Sequence, residues 1–179
     1  IPFISKWDGL GNFRNEDWTK ETNDEGKEFP SLAVKSAKKC FDIIKATTKE
    51  NIPDTALAWL KGVYEKVKNI DSDDDWNIRN YATICVWCGE IEEAITLYKS
   101  LLLHMGEKYY LWAELANLLS SNNDLCIGLL LKAKKIEKNE DFLGDIHLSL
   151  ASLWQKEGYS SIATKELEAY ASHRKEKGW

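Results

Sequence analysis

The chain has 179 residues, a net charge of −5, a 44% apolar share and 30% charged residues. That length suits one domain, or one compact array, with a continuous core. The longest apolar runs, such as Leu101–Leu103 and Leu129–Leu131, are too short to span a bilayer, and no basic excess supports binding by phosphate neutralisation.

Residues 1–29 show no helical period. An apolar lead, Ile1 to Trp7, precedes a polar stretch from Asn12 to Phe29 that carries Phe13, Trp18 and Phe29. The aromatic content argues against disorder and predicts an extended arm docked on a helical body. Pro30 and Ser31 then open a helix, because proline is tolerated in a first turn. Leu32, Val34, Ala37, Phe41 and Ile44 give it an apolar stripe that runs to about Thr47. Asn51-Ile-Pro53-Asp54 breaks that helix. The next carries Leu57, Leu60, Tyr64 and Val67, flanked by Ala56, Trp59 and Val63, a face wide enough to be packed on two sides.

After Asp71–Asp75 the spacing predicts helix pairs at 74–87 and 91–104, 108–120 and 124–137, then 141–156 and 159–176. Only three prolines and ten glycines interrupt the chain. With the two leading helices this makes eight helices in four antiparallel pairs. The expected divisions are an arm over 1–29, a leading pair over 30–70 and three further pairs over 71–179, together one domain.

A short string recurs through these pairs. Gly89-Glu-Ile-Glu-Glu-Ala94-Ile-Thr-Leu-Tyr98 has echoes at Asn123-Asp-Leu-Cys126-Ile127-Gly-Leu-Leu130 and at Gly158-Tyr-Ser-Ser-Ile-Ala163-Thr-Lys-Glu-Leu167. The last pair also offers Leu150, Ala151 and Trp154. The middle pair has Trp112, Leu115, Ala116 and Leu119, then Cys126, Leu130 and Ala133. The first pair has Ile78, Tyr81, Ala82 and Cys85, then Ala94, Tyr98 and Leu101. Small residues let helices approach and large ones fill the hollows between them. No proline follows Pro53, and Gly106 lies in one of the turns between these helices.

Over residues 75–170 this pattern resembles the tetratricopeptide repeat family, whose period is about 34 residues. The resemblance implies an all-α, right-handed superhelix of antiparallel helix pairs, here with an extended N-terminal arm. The whole chain is also similar to helical modules of large bacterial proteins of stress or conflict systems. That similarity rests on Asn12-Phe-Arg-Asn-Glu-Asp-Trp18, Gly26-Lys-Glu-Phe-Pro-Ser-Leu32 and Lys175-Glu-Lys-Gly-Trp179. It implies a bacterial, intracellular, non-catalytic module of a multidomain protein, and the ends at Ile1 and Trp179 fit a segment of a longer chain.

The chemistry-bearing residues point away from an enzyme. Cys85-Val-Trp-Cys88 has dithiol spacing, but it falls at the C-terminal end of a predicted helix, where the dipole disfavours a thiolate. It also lacks the βαβ context of redox motifs. A zinc site would need a second close ligand pair, which Cys126, His104 and His147 do not supply. Asp71-Ser-Asp73-Asp-Asp75 opens like a calcium loop, yet Trp76 and Ala82 stand where glycine and glutamate are required. Ser72 or Asp73 is instead read as a helix cap, with the acids favouring the positive end of the dipole. His104, His147 and His173 have no Ser or Asp partner at a recognisable spacing. Lys132, Lys134, Lys135 and Lys138 are read chiefly as complements to a helix C-terminus. No catalytic residue, metal or cofactor is expected.

The four cysteines (Cys40, Cys85, Cys88, Cys126) are spaced irregularly and read as packing residues of a reducing, cytoplasmic protein, and no signal-peptide pattern is visible.

The family resemblance implies a concave groove lined by the first helix of each pair. Mapped on this chain, its positions are Trp76, Arg79, Thr83, Val86 and Trp87, then Tyr110, Ala113, Asn117, Ser120 and Ser121. The last pair supplies Asp145, Leu148, Ser152, Gln155 and Lys156. The expected partner contacts are Trp76, Arg79, Thr83, Trp87, Tyr110, Asn117, Ser152 and Gln155, since aromatics and arginine anchor partners. Trp76 and Trp87 have an alternative expectation, cover by the N-terminal arm. The chaperone-binding variety is matched only at Asn117, because Arg79 and Ala113 replace its clamp lysine. The leading expectation is a non-catalytic scaffold binding a peptide or neighbouring domain. The alternatives are a spacer in a larger bacterial protein and a nucleic-acid module using lysine and tryptophan stacking. Nucleic acid is the weaker partner, no membrane partner is expected, and oligomeric state is left open.

Overall fold

The computed structural model of the protein describes residues 13–47, 52–70 and 74–179. Eight α-helices account for most of them: α1 Leu32–Lys45, α2 Asp54–Ile70, α3 Asp75–Trp87, α4 Ile91–His104, α5 Tyr109–Leu118, α6 Asn123–Ile136, α7 Gly144–Lys156 and α8 Ser160–Lys177. Their bounds match the expected helices to within about three residues. Residues 1–12, which include the apolar lead Ile1 to Trp7, lie outside the described residues, as do Asn51 and Asp71–Asp73.

Local chemistry sets most of the ends. Ser31 caps α1, its Oγ accepting from the Val34 N–H at 3.2 Å. Asp74 caps α3 by accepting from the N–H groups of Trp76 and Asn77, so the cap comes later than the expected Ser72 or Asp73. Asn122 caps α6 through the Leu125 N–H at 3.0 Å. At the far ends of α3 and α7, Gly89 and Gly158 adopt left-handed φ values of 81° and 82°, a conformation that costs other residues a Cβ clash. Residues 140–142 form a separate 3₁₀ turn, Glu140–Phe142, ahead of α7. The expected helical start at 141 was too early, because Leu143 closes that turn and its carbonyl then accepts from His147 N–H.

The chain divides into two compact units, residues 1–97 and 98–179, with the division inside α4. In the first unit α1 packs on α2 and α2 on α3. The stripes close as read from the sequence: Val34, Ala37, Phe41 and Ile44 are buried, as are Leu57, Leu60, Val63, Tyr64 and Val67. Leu32 departs from its stripe and stands exposed at the first helical position. The described part of the arm, 13–29, is more structured than an extended segment. It holds a 3₁₀ turn at Asn15–Trp18 and a two-residue-per-strand antiparallel hairpin, β1 Glu21–Thr22 with β2 Glu28–Phe29. Trp18 is buried, with the Lys66 ammonium 4.1 Å above its ring, and Glu21 pairs with Lys35 of α1 at 2.7 Å.

In the second unit α5 packs on α6, α6 on α7 and α7 on α8. Ala116, Ile127, Leu130, Ala133, Leu143, Ile146 and Leu150 make one core. Each leucine side chain of this kind contributes roughly 1.5–3 kcal/mol through the water it sheds. One position of the repeat pattern is corrected here. Leu167 is 48% exposed, and Glu166 takes the inward place beside Ala163.

Candidate functional site

In the first unit, Trp76, Arg79 and Thr83 share one face of α3. The Arg79 guanidinium lies 5.9 Å from the centre of the Trp76 ring, and Thr83 Oγ1 donates to the Arg79 carbonyl at 3.0 Å. Trp76 is 52% exposed. Trp87 points elsewhere: its ring stacks on Phe41 of α1, with centroids 5.2 Å apart and planes 23° off parallel. Its cover is therefore a helix of the leading pair.

Trp87 also borders a cavity of about 490 Å³ with Lys61, Glu65, Cys88 and Glu90. Lys61 holds Glu90 at 2.8 Å and Glu65 at 3.3 Å. Cys85 is fully buried and Cys88 half-buried, and both are free thiols. Burial, aided by the Glu90 charge, pushes the Cys85 thiol up to about 11 and raises Cys88 as well. A redox dithiol needs the opposite shift.

In the second unit, two expected contacts meet. Asn117 of α5 and Ser152 of α7 border one open groove of about 380 Å³. Ser120 and Lys156 join them at its rim, and Leu130 and Leu153 supply apolar floor. Cys126 closes the base, its thiol placed 3.2 Å from the Ala116 carbonyl and 3.1 Å from that of Leu119. Tyr110 packs edge-on against Tyr109, with centroids 5.6 Å apart, and Gln155 is exposed outside the groove lining. The expected lysine patch disperses: Lys132 reaches over the Trp112 ring at 5.6 Å, while Lys134 binds both Glu166 oxygens at 2.9 and 2.8 Å.

A second cavity of the same unit, about 330 Å³, lies where the start of α7 meets the end of α8. Sequence spacing gave no sign of it. His147 is buried with both ring nitrogens against carboxylates, Nδ1 2.6 Å from Glu166 Oε2 and Nε2 3.1 Å from Glu140 Oε2. His173 Nε2 lies 2.8 Å from Asp141 Oδ1, and Lys177 Nζ is 3.0 Å from the same oxygen. The Lys177 and His173 hydrogen bonds hold the Asp141 carboxyl below its usual range. Burial, with the Glu137, Tyr110 and Asp145 charges behind it, raises the Tyr109 phenol. Three of these four pairings span 19, 32 and 36 residues, which no local motif encodes; Glu140 and His147 are seven apart. The one legible trace is a polar inward stripe on the last helix, with Glu166 and His173 on the side of Ala163.

Among the described residues, no group of three or more His, Cys, Asp or Glu could hold a metal ion, and no helix is long and apolar enough to cross a membrane.

Solved structures share the architecture. A crystal structure of MamA, a tetratricopeptide-like helical protein, matches at 12% identity with a TM-score of 0.62, over 82% of this chain and 91% of its own. A second MamA crystal structure matches at 12% identity and a TM-score of 0.60, over 82% and 79% of the two chains. The MSR-1 form of MamA matches at 13% identity and 0.55, over 81% and 98%. At such identities the likeness speaks for the fold, which is all-α and tetratricopeptide-like. No curated protein matches the chain in sequence. The model of one family covers residues 75–179, the three regular helix pairs, and the chain belongs to that family, described as a domain of unknown function, DUF7017.

Proposed function

We propose that this protein is a non-catalytic scaffold, and that the groove of residues 98–179 bordered by Asn117 and Ser152 holds an extended segment of a protein partner. The observation that carries this reading is the meeting of first-helix side chains from two successive pairs in one open groove of about 380 Å³. Its leucine floor can cover an apolar side chain, and its amide, hydroxyl and ammonium rim can meet a peptide backbone. Trp76 and Arg79 are proposed as a separate contact on the first unit, with Thr83 behind them, because an exposed tryptophan beside arginine suits an anchor. Tyr110 and Gln155 belong to the same proposal as flanking contacts, and Trp87 as a wall packed against Phe41. Four free cysteines, three of them buried, support a reducing, cytoplasmic setting for this activity.

The test is selection of random displayed peptides on the immobilised chain, followed by titration of the enriched sequences. Ser152→Trp fills the groove from an exposed position and is expected to weaken the selected peptides at least tenfold. Trp76→Ala is expected to leave these same peptides unaffected. Failure to enrich any peptide, or equal binding by Ser152→Trp and wild type, would overturn the groove as the binding site.

A further inference from the structure

The cavity at the start of α7 and the end of α8 has walls and charges unlike those of the groove. Tyr109, Phe142, Tyr170 and Trp179 give it aromatic faces, and Phe142 and Trp179 remain more than half exposed. Most of its charged groups already have a partner inside the fold. Asp141 has the Lys177 ammonium and a hydrogen bond with His173, Glu140 is hydrogen-bonded with His147, and Glu166 behind His147 has the Lys134 ammonium.

Two lining charges have no ion partner among the described residues: Asp145, in the first turn of α7, and Arg174, in the last turn of α8. Each lies at the helix end whose dipole favours its sign, so each is tolerated without a counter-ion. Arg174 is also held in place, its guanidinium 5.7 Å from the centres of both the Tyr170 and Trp179 rings.

From this juxtaposition of one unmatched carboxylate, one unmatched guanidinium and four aromatic rings, we propose that the cavity binds a small zwitterion of the α-amino-acid class. The ligand's ammonium would face Asp145 and its carboxylate would face Arg174, with the rings covering its carbon body. A simple cation would leave Arg174 repelling it, and a simple anion would meet Asp145 and Glu140. A volume of about 330 Å³ is at the small-molecule end of the usual range. The site is independent of the groove that carries the scaffold reading.

The experiment is calorimetric titration of the full chain with each standard L-amino acid. The tightest ligand is then compared with its amide, which lacks the carboxylate, and its N-acetyl form, which lacks the ammonium. The parent is expected to bind, and each blocked form to bind at least tenfold more weakly. In Arg174→Gln the parent and the amide should bind alike; in Asp145→Asn the parent and the N-acetyl form should bind alike. Ser152→Trp should change none of these values, which separates this site from the groove. The absence of saturable binding by any amino acid up to about 10 mM, or an amide as tight as its parent on the wild-type chain, would overturn the proposal. Both outcomes are read on wild type, so they stand even if a variant fails to fold.

Discussion

Cys85 and Cys88 stand three residues apart yet meet different surroundings. Cys85 lies on the inward face of α3 with no exposed surface, while Cys88 is the residue that closes the helix, beside Glu90 and Lys61. A thiol needs its ionised form to attack, and both burial and the Glu90 carboxylate oppose that form. With the Cys85 thiol pushed up to about 11, the thiolate is a small minority form at pH 7.5. A disulfide-exchange reagent such as Ellman's at pH 7.5 should therefore modify Cys88 slowly and Cys85 only after unfolding in guanidinium. Rapid titration of two thiols in the native protein would reopen the redox reading of the motif. The sequence already held this answer, because the motif ran into Gly89 and so had to sit at a helix end of the wrong polarity. Glu166 was harder to read. An inward glutamate next to an outward leucine reverses the usual assignment, and only the positions of Lys134 and His147 explain why burying it is tolerated.

Among whole elements, helix starts and stops were legible wherever a side chain or a glycine acts on its own neighbours. Ser31, Gly89 and Gly158 work within a few residues, so spacing reveals them. The turn at Glu140–Phe142 was not legible, since its acids suit a helix start equally well. The α7–α8 hairpin allows the two kinds of contribution to be separated. Gly158→Ala forces a Cβ into the left-handed region without meeting any neighbouring atom, so its cost is conformational, about 1–2 kcal/mol. Leu150→Ala empties a fully buried place in the core and should cost about 2–5 kcal/mol. Chemical denaturation should rank the two in that order. Hydrogen exchange should accelerate first in α7 and α8, because each hairpin is stabilised chiefly by its neighbours. Equal losses for the two variants would mean that the leucine site collapses around the missing atoms.

Across the molecule, periodicity was legible and partnership was not. Helical spacing is set by contacts between consecutive elements, so a single sequence displays it. The cavity that gathers Asp145 and Arg174 depends on the end of one helix meeting the start of another, 29 residues away in sequence. Charge gives the last test of function. The chain carries 29 acids against 24 bases, and residues 51–100 hold nine acids and five bases. Lysines could still form a local track for a nucleic-acid strand, and those of α6 were the obvious candidates. The fold removes two of them from such a track: Lys134 is neutralised by Glu166, and the Lys132 ammonium sits over Trp112. Trp87 is stacked on Phe41 and cannot offer that face to a base. A mobility-shift assay with a single-stranded oligonucleotide of about 20 nucleotides in about 50 mM salt, where counter-ion release most favours binding, should show no complex at micromolar protein. A complex that weakens steeply as salt is raised would reveal a basic track that these pairings leave out, and would move the protein to the nucleic-acid class.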